Sequence, residues 1–119
     1  MPRSPLARLD DVLDAIGHIR SLLAGKSLEH LQRDRVSAAA FERFLEIISE
    51  ATRHIPGELK ERRPEIPWRR IADLGNWLRH VYDRVDGALL WAIYTDDLDP
   101  LEDAIRHFIE VIGSTDRGV

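Results

Sequence analysis

Hydrophobic residues recur at three- and four-residue steps along most of the chain, which is the spacing that lines one face of an α-helix. The first such run contains Leu6, Leu9, Val12, Leu13, Ile16, Ile19, Leu22 and Leu23. We predict a helix over about 5–24, ended by Gly25, and a helical stretch over about 28–54, capped by Ser27. Gln32–Arg35 interrupts the apolar stripe of that stretch, so its first turns can also be interpreted as a separate short helix.

Prolines and glycines divide the second half of the chain. Pro56-Gly57 ends the second stretch, and a short helical piece is expected at 58–62. Pro67 fits the first turn of the next helix, in which apolar residues continue at helical spacing from Trp68 to Val85. The prolines therefore predict that a new helix begins near residue 67.

Two further helices are predicted near the C-terminus. Asp86 fits the N-cap of a helix over 87–94, and Asp99 with Pro100 fits the cap and first residue of a last helix that Gly113 ends. No segment alternates apolar and polar residues as a half-buried strand does. The pattern predicts an all-α protein, a bundle built mostly on three or four long helices.

Composition narrows the class of protein. The 119 residues suit a single domain, 1–119, with one hydrophobic core. The absence of cysteine excludes a disulfide scaffold, a thiolate zinc site and a cysteine nucleophile. Apolar stretches such as Ala88–Tyr94 are too short for a membrane helix, and the N-terminus lacks the apolar core of a signal peptide. We expect a cytoplasmic protein without a membrane association.

Most motifs of catalytic and metal sites are missing from the sequence. There is no phosphate-binding glycine loop, no nucleophile elbow and no zinc-binding helix motif. The five histidines never recur at i,i+3 or i,i+4 spacing, and the acids at 96, 97 and 99 lack the glycine and final glutamate of a calcium loop. We expect neither a metal ion nor a cofactor.

One predicted helix carries polar side chains that are able to do chemistry. Asn76 and His80 lie four residues apart on one helix face, and Tyr82 follows within reach of the same end. An imidazole, an amide and a phenol can together act on a phosphodiester or hold a nucleotide. A histidine with satisfied hydrogen bonds in the core or at an interface explains the pattern as well.

The order of residues over nearly the whole chain resembles the HepT-like branch of the HEPN superfamily, small all-helical proteins of bacterial and archaeal toxin–antitoxin pairs. The strongest match is the segment Pro64–Ala72. Further matches are Asp11–Leu13, Asp34-Arg35, Leu45–Ala51, Asn76, His80, Tyr82, Trp91, Asp97-Leu98 and Pro100-Leu101. Within the segment Leu45–Ala51, Ser49 stands where the family typically has a glycine.

This resemblance implies an up-and-down bundle of four to five helices that forms a two-fold homodimer. It implies a metal-independent endoribonuclease in which motif residues of both subunits meet in a cleft, with Asn76 and His80 at matching positions. By resemblance, His80 transfers a proton while the RNA 2′-hydroxyl attacks the adjacent phosphate, and an arginine stabilises the developing charge. The implied partner is an MntA-type minimal nucleotidyltransferase antitoxin that silences the ribonuclease by transferring AMP to Tyr82.

The chain departs from the family at one position of the motif. Gly75 stands where the family has its arginine, and no histidine has an arginine five to seven residues before it. Arg79, one turn further along, is the candidate to compensate as a catalytic residue, with a solvated charge as the alternative. Because a mid-helix glycine costs about 1 kcal/mol relative to alanine, we do not expect Gly75 to serve stability. Arg69 and Arg70 are candidates to contact RNA phosphates or pair with acids, and Glu50 either hydrogen-bonds into the cleft or is buried.

Three functions fit these residues. The first is a HepT-like toxin, a ribonuclease with weakened or relocated chemistry, which His80 and Tyr82 favour. The second is a catalytically inactive HEPN dimer that serves as a binding module for a nucleotidyltransferase or RNA, which Gly75 favours. The third is a helical dimer whose polar residues only satisfy its interface.

The charge distribution leaves an RNA site open although the net charge is −4. Residues 1–52 carry −1 (seven basic, eight acidic), residues 53–84 carry +3 (eight and five) and residues 85–119 carry −6 (two and eight). The positive segment is the one that contains Asn76, His80 and Tyr82. The whole-molecule charge is thus a poor guide to local binding of an anionic ligand.

Overall fold

A computed structural model describes residues 4–80 and 87–116, except for the side chains of His80, Thr115 and Asp116. The described residues form helices and connecting turns, without a strand. The first helix, α1, spans Pro5–Leu23, and its N-cap Ser4 accepts a hydrogen bond from the Ala7 N–H at 3.1 Å. Gly25 follows with a φ of +72°, a left-handed conformation that glycine adopts at little cost. The predicted first helix and its end are therefore confirmed.

The predicted second stretch consists of two helices, α2 at Leu28–Arg33 and α3 at Arg35–Arg53. Ser27 caps α2 as predicted, with its Oγ accepting from the His30 N–H at 3.2 Å. Asp34 separates the two helices because its backbone is extended and its carboxylate accepts from the N–H groups of Val36 and Ser37. The interruption of the apolar stripe thus marks a helix boundary.

Two helices lie between Pro56 and His80. A single short helix, α4, spans Gly57–Lys60, close to the predicted piece at 58–62. The longer α5 spans Trp68–His80 and directly follows Pro67, whose carbonyl accepts from the Ile71 N–H at 3.0 Å. The start of α5 therefore lies next to Pro67, as the sequence predicts.

The C-terminal part of the described chain is one continuous helical rod. It consists of α6 at Gly87–Ala92, a π-helical turn at Ile93–Asp97 and α7 at Leu98–Asp116. The prediction that Asp99 caps α7 is wrong, because the chain enters α7 directly from the π turn and the Asp99 carboxylate instead pairs with Arg20. Gly113 does not end α7 either, since it lacks the left-handed φ of a terminating glycine. The predicted cap Asp86 lies outside the described residues.

The hydrophobic core lies between the four long helices. Helix α1 packs on α3 and α7, and α5 packs on α3. Fully buried side chains include Leu9, Val12, Ile16, Ile19, Phe41, Leu45, Ile105 and Phe108. The predicted all-α bundle on three or four long helices is confirmed. Within the described ranges, no helix combines the length and the apolar character needed to cross a membrane.

Candidate functional site

Helix α5 presents one polar face. Arg69, Asp73 and Asn76 are exposed and recur at steps of four and three residues. Position 80 follows Asn76 by four residues, so the helix backbone places it on the same face. The side chain of His80 and all of Tyr82 lie outside the described part of the structure. The structure therefore brings Asn76 and position 80 to one side of α5 and leaves the placement of Tyr82 untested.

Gly75 is buried where α5 meets α3. Its N–H donates a hydrogen bond to the Oγ of Ser49 at 2.9 Å, and that hydroxyl donates to the carbonyl of Ala72 at 2.8 Å. A Cβ on residue 75 would lie 2.7 Å from Ser49 Oγ and 3.0 Å from Ser49 Cβ, closer than non-bonded atoms pack. The expectation that Gly75 does not serve stability is therefore wrong, because the missing side chain lets α5 approach α3.

The side chain of Arg79 folds back along α5 toward Gly75. One terminal nitrogen of its guanidinium lies 3.5 Å from where a Cβ on Gly75 would be. The residue is exposed, and within residues 4–80 and 87–116 nothing forms a hydrogen bond or an ion pair with it. Arg79 thus offers an uncommitted cation one turn from the position where the motif arginine is missing.

Glu50 does not have the buried role that the sequence left open. Its carboxylate is exposed and accepts a hydrogen bond from the Nε2 of His54 at 3.1 Å. That hydrogen bond is the main reason why the pKa of Glu50 is lowered, with smaller contributions from the charges of His54, Arg53 and Arg8. Glu50 is therefore an ionised surface group, and it lines the same pocket as Arg79.

Arg69 and Arg70 lie at the opposite end of α5 from Arg79 and position 80. Both are exposed, and Arg70 approaches the carboxylate of Asp97 at 3.8 Å. Ten residues of helix place them roughly 15 Å along the axis from position 80. The structure therefore does not join them to the group around Arg79.

Three histidines each have an acidic partner one turn away on α1, at α2 or on α3. The pairs are His18 with Asp14, His30 with Asp34 and His54 with Glu50. Across the part of the chain that is described, no three His, Asp or Glu side chains are grouped so that they could hold a metal ion.

Sequence reasoning missed Arg8 and Arg43, which line a pocket together with Arg79. These arginines lie on α1, α3 and α5, so their proximity depends on helix packing and leaves no local signal. It also missed the partnership of Ser49 with Gly75, for which a small polar residue inside the apolar stripe of α3 was a weak signal.

The helical bundle and the residues along α5 define an all-α protein of the HEPN type. A family model described as "Ribonuclease HepT-like" matches residues 12–108. The chain belongs to this HepT-like family.

Similar proteins occur in archaea and bacteria. A protein of Thermococcus cleftensis named "Probable ribonuclease HepT" is 36% identical over 102 residues, covering 86% of this chain and 93% of the relative. Two others share the name "Putative RNase". The one from Caldanaerobacter subterraneus subsp. tengcongensis is 29% identical over 108 residues, 91% of this chain and 96% of its own. The one from Methanocaldococcus jannaschii is 29% identical over 104 residues, 87% and 95%. No solved structure matches the chain significantly.

Proposed function

We propose that this protein is a HepT-type ribonuclease, the toxin of a toxin–antitoxin pair, which cuts RNA as a two-fold homodimer without a metal ion. One observation carries the proposal: the guanidinium of Arg79 lies over Gly75 on the helix that also carries Asn76 and His80. A cation is thus available close to the position of the missing motif arginine. The names of the relatives support RNA as the substrate.

In the proposed reaction, His80 takes the proton of an RNA 2′-hydroxyl while the oxygen attacks the adjacent phosphorus. The O2′–P bond forms, the P–O5′ bond breaks, and the 5′-oxygen leaves with a proton from the His80 of the second subunit. The products are a 2′,3′-cyclic phosphate and a 5′-hydroxyl. Arg79 stabilises the negative charge that develops on the phosphate oxygens, and Asn76 orients the phosphate by hydrogen bonding.

The contact between Gly75 and Ser49 favours a second function. This chain lacks the motif arginine, and a side chain on residue 75 would require Ser49 or the two helices to shift. A HEPN dimer without this arginine can still bind RNA or a nucleotidyltransferase. The second candidate is therefore a catalytically inactive binding module.

RNA cleavage by the purified protein in the presence of EDTA tests the first function against the second. We expect the wild type to cut single-stranded RNA and His80→Ala to cut about 10²- to 10⁴-fold more slowly, because a positioned proton-transfer group contributes that much. His30→Ala, at an exposed histidine on α2, is the matched control and should cut like the wild type. RNA binding without cleavage by the wild type would instead support the inactive module.

The regulatory part of the proposal places the modification on Tyr82. After co-expression with an MntA-type nucleotidyltransferase, we expect mass spectrometry to find one or more AMP groups on Tyr82. Tyr82→Phe should remove this mass, and Tyr94→Phe, at a half-buried tyrosine, should retain it. Modification at another residue, or none, would overturn this assignment.

A further inference from the structure

A pocket of about 210 Å³ lies between α1, α3 and α5, beside Arg79. Each of the three helices contributes one arginine to it, and the acids lie on α1 and α3. The polar side chains of the lining are Arg8, Asp11, Arg43, Glu46, Glu50 and Arg79. Charges of both signs line the pocket, so the ligand that it suits depends on which of these groups already have partners.

The carboxylates of the pocket are already engaged. Glu46 accepts from the guanidinium of Arg43 at 3.3 Å, and Glu50 accepts from His54 at 3.1 Å. Asp11 also takes part in a polar contact. The charges of Glu46 and Glu50 are therefore offset by basic partners on or next to α3, which makes the pocket less suited to a cation.

Two arginines of the pocket form no side-chain hydrogen bond or ion pair with the described residues, although the charge of Arg8 contributes to the lowered pKa of Glu50. The Nε of Arg8 is buried and has no hydrogen-bond partner among the residues that the structure describes. Arg79, across the pocket on α5, likewise has no ion pair within those residues. A buried donor without an acceptor is unfavourable. Arg8 lines the pocket, so a shift of its guanidinium toward a ligand oxygen there would satisfy the donor.

We propose that this pocket binds a phosphate group, held between Arg8 and Arg79. Guanidinium groups match the geometry of phosphate oxygens, and the pocket is large enough for a phosphate with its waters. Arg79 also lies three residues from Asn76 on α5, so the pocket adjoins the proposed reaction site. Resting on the proposed function, the ligand is the backbone phosphate of the RNA next to the one that is cut, so the guanidinium of Arg79 lies between the two phosphates and contacts both.

The test measures RNA binding without cleavage. A labelled 2′-O-methyl RNA oligonucleotide, which cannot be cut, is titrated by fluorescence anisotropy at several salt concentrations. We expect Arg8→Gln and Arg79→Gln each to weaken binding and to reduce the slope of log affinity against log salt by about 0.7, the value for one phosphate contact on a single strand. Arg62→Gln, at an exposed arginine outside this pocket, is the control and should leave the slope unchanged.

A second measurement separates RNA from free phosphate. Inorganic phosphate should compete with the oligonucleotide for the wild type and raise its Tm, and it should do neither for Arg79→Gln. Phosphate protection with an unchanged RNA slope in both variants would overturn the assignment to RNA. No phosphate effect and no change of slope would overturn the pocket altogether. Because Arg79 is exposed, its variant remains informative if Arg8→Gln fails to fold.

These outcomes do not depend on catalysis. A protein that binds RNA through Arg8 and Arg79 but does not cut it would retain the phosphate pocket and lose the ribonuclease function. Conversely, RNA cleavage by the wild type together with an unchanged salt slope in both variants would retain the ribonuclease function and exclude the phosphate pocket.

Discussion

Ser49 and Gly75 are complementary in size across the contact between α3 and α5. From the resemblance to the family, a glycine is expected at position 49 and an arginine at position 75. This chain instead has a side chain at position 49 and none at position 75. The hydroxyl of Ser49 fills the space and bonds to the backbone of α5. Positions 49 and 75 are therefore coupled by packing, because a side chain at position 75 would meet the side chain of Ser49.

The coupling is testable with Gly75→Ala in two backgrounds. In the wild type, overpacking against Ser49 costs about 1–3 kcal/mol, and better helix propensity returns up to about 1 kcal/mol, so we expect a net loss of stability. In a Ser49→Gly background, the same change should stabilise by up to about 1 kcal/mol. Urea unfolding of the four proteins gives the coupling energy, and an equal effect of Gly75→Ala in both backgrounds would contradict the coupling.

At the scale of single residues, the sequence predicts interactions between residues that are close together in the chain. Ser27 lies next to the helix that it caps, and Gly25 lies two residues beyond the end of α1, so both could be predicted from neighbours in the chain. Ser49 and Gly75 are 26 residues apart. Their contact depends on how α3 and α5 pack, which the spacing of residues along one helix does not contain.

Among the elements, α1 and α7 are joined by a charge network at the side of the core. Arg20 on α1 pairs with Glu102 and Asp99 on α7, and Arg106 also donates to Glu102 at 2.8 Å. The hydrogen bond from Arg20 is the main reason why the pKa of Glu102 is lowered. The network therefore stabilises the fold as long as Glu102 is ionised.

This network predicts a pH dependence of stability. Because the pKa of Glu102 lies below its ordinary 4.5 in the folded state, the stabilisation is complete above that value and is lost as the pH falls through the lowered pKa. Urea unfolding between pH 7 and pH 3 should show a smaller loss on acidification for Glu102→Gln than for the wild type. Glu110→Gln, at an exposed position on α7, should behave like the wild type. A Glu102→Gln curve parallel to that of the wild type would contradict this role.

The same rod shows why some element boundaries were not predictable. Asp99-Pro100 and Gly113 carry ordinary start and stop signals, yet the helix passes through all three residues. The π turn at Ile93–Asp97 joins α6 to α7, and the carboxylate of Asp99 is used in the contact with α1. Tertiary packing of the long apolar stripe thus overrides these local signals, although similar signals correctly predict the cap of α2 and the end of α1.

The whole molecule is elongated. Its extents are 51 × 30 × 29 Å, and its radius of gyration of 15.0 Å exceeds the roughly 13.5 Å of a compact chain of 119 residues. Helix α5 packs on α3 and keeps a polar face exposed. In the proposed homodimer, this face of both copies borders one cleft, and the dimer contains two copies of the positive segment 53–84.

The proposed ribonuclease mechanism depends most on Arg79 as the cation of the cleaved phosphate. The direct measurement is the rate of RNA cleavage in EDTA by the wild type, Arg79→Ala and the control Arg62→Ala. We predict that the wild type and Arg62→Ala cut at similar rates and that Arg79→Ala cuts about 10²- to 10³-fold more slowly, as for the loss of a donor to a developing oxyanion. Cleavage by Arg79→Ala at the wild-type rate would contradict the account.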